Sequence, residues 1–121
     1  MSIPAESSPS VADVRAVGLS LPATTVEPHH EYSSLRVLGR IFATWPPAGE
    51  TVHVFVAPER INAIVSANPG VCEVLMWGKR ALGVRVMLGR AGHSLLRELL
   101  TEAWKRKAPR RIVTAFESNR D

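Results

Sequence analysis

The sequence predicts an α+β fold: a two-layer sandwich in which an antiparallel sheet carries helices on one face. Three observations support that expectation. Short segments alternating apolar and polar residues fall into two groups, three before residue 57 and two after residue 70. Hairpin-length turns separate the members of each group, so neighbouring strands run antiparallel. Three other segments carry apolar residues at helical spacing, and one-sided helices bury themselves on a one-sided sheet. The order is α-β-β-β-α-β-β-α.

The first helix is expected over Val11–Ser20, with Val14, Val17, Gly18 and Leu21 at helical spacing. Ser10 caps it, and Asp13 puts a negative charge in the first turn. Pro22 stops it, and Ala23–Glu31 reads as a loop. Three strands follow: Ser33–Leu38, Ile41–Trp45 and Thr51–Val56. Gly39 turns the first pair, and Pro46-Pro47-Ala48-Gly49 ends the second strand. In the third, Val52, Val54 and Val56 face one way and Thr51, His53 and Phe55 the other. Pro58 opens the second helix, whose apolar stripe is Ile61, Ile64 and Val65 and whose stop is Asn68-Pro69-Gly70.

Two more strands, Val71–Trp77 and Leu82–Leu88, flank the basic loop Gly78-Lys79-Arg80. His93 or Ser94 caps the last helix, Leu95–Lys107, with the stripe Leu96, Leu99, Leu100, Ala103 and Trp104. Pro109 ends it. Residues 10–113 form a single domain. The Ser/Pro/Ala-rich residues 1–9 read as a disordered leader, and 114–121, the end of the segment beginning at Arg110, as a tail of uncertain order.

With 121 residues, 45% apolar and 21% charged, the chain fits one globular domain with a modest core. No apolar run is long enough to span a membrane, and the N-terminus lacks a secretory pattern, so a cytoplasmic protein is expected. The single cysteine, Cys72, rules out an internal disulfide and a CxxC metal knuckle, and is read as a half-buried thiol. The net charge of +4 is unevenly spread. Between Met76 and Arg111 there are ten basic residues and two acids, a net +8, while the remainder is −4. One electropositive face suits phosphate or an acidic protein.

The order and spacing of several motifs resemble the MmcQ/YjbR family of small bacterial proteins. The likeness runs from about Val14 to Val113. It begins with Gly18-Leu19-Ser20-Leu21-Pro22, followed by Thr25, Glu27 and His30. Leu35-Arg36-Val37-Leu38-Gly39-Arg40-Ile41-Phe42-Ala43 is similar to that family's F-x-V-x-G-K-x-F-A strand pair, with Arg40 in place of the usual Lys. Pro58-Glu59, Asn68-Pro69-Gly70-Val71, Trp77-Gly78-Lys79-Arg80 and the helix Leu95–Ala108 complete it. Ala81-Leu82 stands where many relatives carry an aromatic residue. The resemblance implies the same element order, a likeness to secretion-chaperone domains, and two hairpins acting as wings that contact DNA.

The candidate site gathers Lys79, Arg80 and Arg85 with Arg36 and Arg40, placed to contact duplex phosphates, and Trp77 beside them as a stacking surface. The competing account makes these charges guards that keep edge strands soluble. A second cluster, Lys105-Arg106-Lys107 with Arg110-Arg111, also suits the negative end of the last helix, and Glu102 can pair with Arg106. Trp45 and Trp104 read as core. His29 and His30, with Glu27 and Glu31, lack a spaced third ligand, and His53 and His93 lie elsewhere, so no metal site is expected. No nucleophile elbow, P-loop, HExxH or GxGxxG is present, and neither a catalytic residue nor a cofactor is assigned. The expected function is a non-enzymatic module that binds duplex DNA, or alternatively an acidic protein partner.

Overall fold

The computed structural model describes residues 8–119. The expected disordered leader falls mostly on residues 1–7, outside the described residues. Of the rest of that leader, Pro9 is buried and the Ser8 hydroxyl donates to the Gly89 carbonyl at 2.9 Å.

The elements are α1 (Val11–Ser20), β1 (Thr24–His29), β2 (Tyr32–Val37), β3 (Arg40–Trp45), β4 (Thr51–Val54), α2 (Pro58–Ala67), β5 (Cys72–Trp77), β6 (Arg80–Met87), α3 (His93–Lys107) and α4 (Arg110–Ser118). The expected α-β-β-β-α-β-β-α order stands, with a strand added before the sheet's first expected member and a helix added at the end. The strands form one six-stranded antiparallel sheet in the order β1-β2-β3-β4-β6-β5.

β1 corrects the loop expected over Ala23–Glu31. Its sequence, TTVEPH, has one aliphatic residue, Val26, and a proline. A proline cannot donate to a ladder, so it is tolerated at a sheet edge, and β1 is that edge. Val26 pairs with Leu35 and turns inward. α4 likewise gives structure to Arg110–Ser118. Pro109 caps it, Phe116 meets the Trp104 ring edge-on at 4.9 Å, and Ile112 and Val113 pack on the core.

α1, α3 and α2 lie over β1–β2, β3–β4 and β6–β5. At the head of α1 the Asp13 carboxylate accepts the Ser10 N–H at 2.8 Å and its hydroxyl at 3.1 Å. α1 approaches so closely that a Cβ on Gly18 would collide with the Leu35 side chain. The core alternates down the strands as Leu35 and Val37, Val52 and Val54, Val84 and Val86, all fully buried, and α3 closes it with Leu96, Leu100 and Trp104. The Trp104 indole N–H donates to the Pro22 carbonyl at 3.0 Å, satisfying the one polar atom of a fully buried ring.

The sheet has a weak seam. β3 and β4 pair at two ladder positions, Ala43↔Val54 and Thr44↔His53, with the Phe55 N–H donating to the Phe42 carbonyl at 3.0 Å just beyond, whereas β4 and β6 pair at four. Each long hairpin also carries a bulge near its outer end. Phe42 is the extra residue between the Leu35↔Ala43 and Arg36↔Ile41 pairs, and Leu82 is extra between Leu75↔Gly83 and Met76↔Ala81. Bulges raise local twist and re-aim the strand beyond them. Among the described residues, no helix is long and apolar enough to cross a membrane.

Candidate functional site

Strand direction places the two hairpin turns together. β3 begins at Arg40, β4 antiparallel to it ends at Val54, and β6 antiparallel to β4 begins at Arg80. The β2–β3 turn (Leu38-Gly39) and the β5–β6 turn (Gly78-Lys79) therefore project from the same end of the sheet, with short β4 recessed between them. With neighbouring strands about 4.8 Å apart, the two hairpin axes stand three spacings, or roughly 14 Å, from each other. Two hairpin ends thus stand side by side where the family resemblance implies wings.

The wing end concentrates cations. Arg40, Lys79 and Arg80 are exposed and, among the described residues, make no ion pair. α3 adds two more. Its C-terminus lies at the same end, where the Arg106 guanidinium donates to the Phe55 carbonyl at 2.9 Å just past β4. Partial burial and the positive charges of Arg106 and Arg40 lower the Lys107 pKa. Crowded like charges without a carboxylate raise the folded state's free energy, and an arriving anion would relieve that cost. Arg106 and Lys107 belong to the second basic cluster of the sequence, which the fold thus brings to the same end as the first. The expected Glu102–Arg106 pair is replaced: Glu102 accepts from Arg60 of α2 at 3.1 and 3.3 Å. Lys105 pairs with Glu117 at 2.9 Å.

The other expected contacts lie on the sheet's uncovered face. Arg36 donates to the Ser34 hydroxyl at 3.0 Å and the Pro28 carbonyl at 3.1 Å. Arg85 sits outward as expected, but its charge is balanced: Nη1 lies 2.8 Å from Glu73 Oε1. Its Nε donates to His53 Nε2 at 3.5 Å, and His53 Nδ1 lies 3.4 Å from the Thr44 hydroxyl. A guanidinium only donates, so Nε2 must accept and the ring proton sits on Nδ1. Burial first and Arg85 second lower the His53 pKa, in keeping with a neutral ring. Arg36 and Arg85 thus belong to two separate cross-strand sets of hydrogen bonds, both set back from the wing tips.

The tips are also unusually apolar. Trp77 is 74% exposed, against 5% for Trp45 and 0% for Trp104. On the other wing Leu38 is 56% exposed. It was read only as the last residue of a strand. The clue was its neighbour: a two-residue turn before Gly usually carries Asn or Asp.

Elsewhere the structure offers less. An open groove of about 680 Å³ at the opposite end of the sheet is lined by Glu50, Cys72, Glu73, Leu88 and Arg90 among others. Cys72 is buried, not half-buried, and burial raises its thiol pKa away from the reactive thiolate. The His29 and His30 rings lie 4.7 Å apart, tilted by 60°, at the β1–β2 turn, where His30 takes a left-handed φ of 58°. Among the described residues no three His, Cys, Asp or Glu side chains gather as a metal site.

The YjbR family model matches residues 19–106, from the end of α1 to the end of α3 and including both wings. The chain is also 29% identical over 126 residues to an uncharacterised protein of Mycobacterium bovis, covering 88% of this chain and 95% of that one. Uncharacterised proteins from two strains of Mycobacterium tuberculosis match to the same extent. No solved structure matches the chain.

Proposed function

The chain belongs to the YjbR family, and from that premise we propose that it is a non-enzymatic module that binds duplex DNA through its two wings. The observation behind this reading is the uncompensated positive charge at one end of the sheet. Arg40 from the first wing, Lys79 and Arg80 from the second, and Arg106 and Lys107 between them come from three separate elements. No carboxylate among the described residues neutralises Arg40, Lys79 or Arg80.

The dimensions suit a duplex. A wing separation of roughly 14 Å spans about four rises of 3.4 Å along a duplex. Cations at both tips and at the recessed floor can meet phosphates at separate steps along it. Contacts of this kind fix position and supply affinity without reading sequence. Arg36 and Arg85, engaged on the sheet face, are assigned a supporting role in the wing scaffold.

Fluorescence anisotropy with a labelled duplex at two salt concentrations tests the reading. Affinity is expected to fall steeply with salt, by a logarithmic slope of roughly −0.9 per phosphate engaged. Flat salt dependence would refute phosphate contact. A stable complex with an acidic protein, without DNA binding at low salt, would favour the protein-partner alternative.

A further inference from the structure

Phosphate contact does not account for the two apolar tips. Leu38 has a φ of 47° and Gly39 a φ of 83°, the paired positive values of a tight hairpin turn. Leucine is a poor occupant of the left-handed region, where its Cβ crowds the backbone. Asn, Asp or Gly would serve the turn better. Leu38 is 56% exposed, so packing does not offset that strain. Gly78, at φ 60°, leaves the other turn unstrained, yet it presents Trp77, 74% exposed, with Met76, 51% exposed, beside it. A strained leucine in the turn of one wing and a bare tryptophan in the last cross-strand pair of the other, opposite Arg80, thus sit at the two tips beside cations that make no ion pair among the described residues. The hairpin turn dictates the positive φ, but nothing in the turn calls for an exposed leucine at that position.

We propose that Leu38 and Trp77 are wedges that enter base steps of a duplex held by the wing cations, bending the DNA between them. The inference rests on the DNA-binding reading and adds to it a preference for deformable or distorted duplex. Apolar side chains inserted at a step partly unstack it and kink the helix. The tips, roughly 14 Å apart, span about four rises of 3.4 Å. The flanking Arg40 and Lys79-Arg80 would then hold phosphates beside each opened step.

Three measurements on the full chain test this. First, anisotropy titrations compare a matched duplex with one of the same length carrying two mismatches four base pairs apart. Because a mismatched step is already partly unstacked, roughly tenfold tighter binding to it is expected. Second, Trp77 emission should be quenched by DNA, since Trp45 and Trp104 are buried. Third, Trp77→Ala and Leu38→Asn should each reduce the mismatch preference to near unity while leaving the salt slope unchanged. Leu38→Asn should also unfold at higher denaturant, because Asn tolerates the turn, which shows the variant is folded.

Equal affinity for both duplexes, or a mismatch preference that survives both substitutions, overturns the wedges and leaves phosphate binding standing. Loss of all DNA binding by the unaltered chain at low salt overturns both. A Trp77 blue shift on anionic phospholipid vesicles, with no response to either duplex, also overturns the wedges.

Discussion

Two sets of basic residues on the same two hairpins meet different fates. On the sheet face Arg85 finds Glu73 directly across the ladder, and Arg36 finds the Ser34 hydroxyl and the Pro28 carbonyl. At the wing tips Arg40 and Arg80 occupy the last cross-strand pairs, opposite Val37 and Trp77, Lys79 lies in the turn beyond, and none of the three makes an ion pair among the described residues. Residue type does not separate the sets. What separates them is whether a strand neighbour carries an acceptor within reach. Within the ladder Arg85 faces Glu73, whereas the last pairs set Arg40 opposite Val37 and Arg80 opposite Trp77, so charge at a tip remains available to a ligand.

The largest expected effect would remove both sets at once. Gly83 lies at the root of the second wing, where a Cβ would collide with the Val54 carbonyl and sit 3.0 Å from the Phe55 Cα. Both obstacles are backbone and cannot rotate away. Gly83→Ala should cost roughly 3 kcal/mol in a denaturant titration and displace the wing from its neighbours. A loss below about 1 kcal/mol would mean the wing root is softer than its geometry implies.

Next is the double substitution Lys79→Ala with Arg80→Ala. It should weaken duplex binding on the order of tenfold or more and lower the salt slope by about 2, with stability unchanged to within ~0.5 kcal/mol. The matching change on the face, Arg85→Ala, should do the reverse. DNA affinity stays within about twofold, while stability falls by up to ~1 kcal/mol through the exposed Glu73 pair and the lost partner of His53. If Arg85→Ala hurts binding as much as the tip pair, the division drawn here fails.

The smallest effect is a pH dependence. His53 holds its proton less readily when folded than when unfolded, because burial and Arg85 disfavour its charge. Between the folded pKa and the ordinary value of 6.5 the unfolded chain binds more protons. Its contribution to stability is therefore complete above pH 6.5 and declines as pH falls below it. His53→Gln should flatten that decline when Tm is followed from pH 8 to pH 5. An unchanged slope would place the titrating group elsewhere.

Much of this was legible in the sequence, for local reasons. Helical spacing marked α1, α2 and α3, and period-two alternation marked β2 to β6 within a residue or two. β1 escaped because Val26 is its only aliphatic residue and Pro28 argues against a strand unless that strand is an edge. α4 escaped because Pro109-Arg110-Arg111 reads as an ending, while Phe116 shows its purpose only once Trp104 is in place. Basic wing loops could be named from the sequence. Their meeting could not, because Arg40 and Lys79 are joined only through the order β3-β4-β6-β5. The pairing of Arg85 with Glu73 depends equally on register.

The two-position junction of β3 with β4 also bears on motion. It divides the sheet into two three-stranded leaves, each ending in one wing, with α3 lying across both as a strap. A change in how the leaves splay would alter the gap between the tips without breaking either hairpin. The leucines on the inner side of α3 thereby set the caliper of the molecule, and amide exchange at Ala43, Thr44 and Val54 would report when it opens.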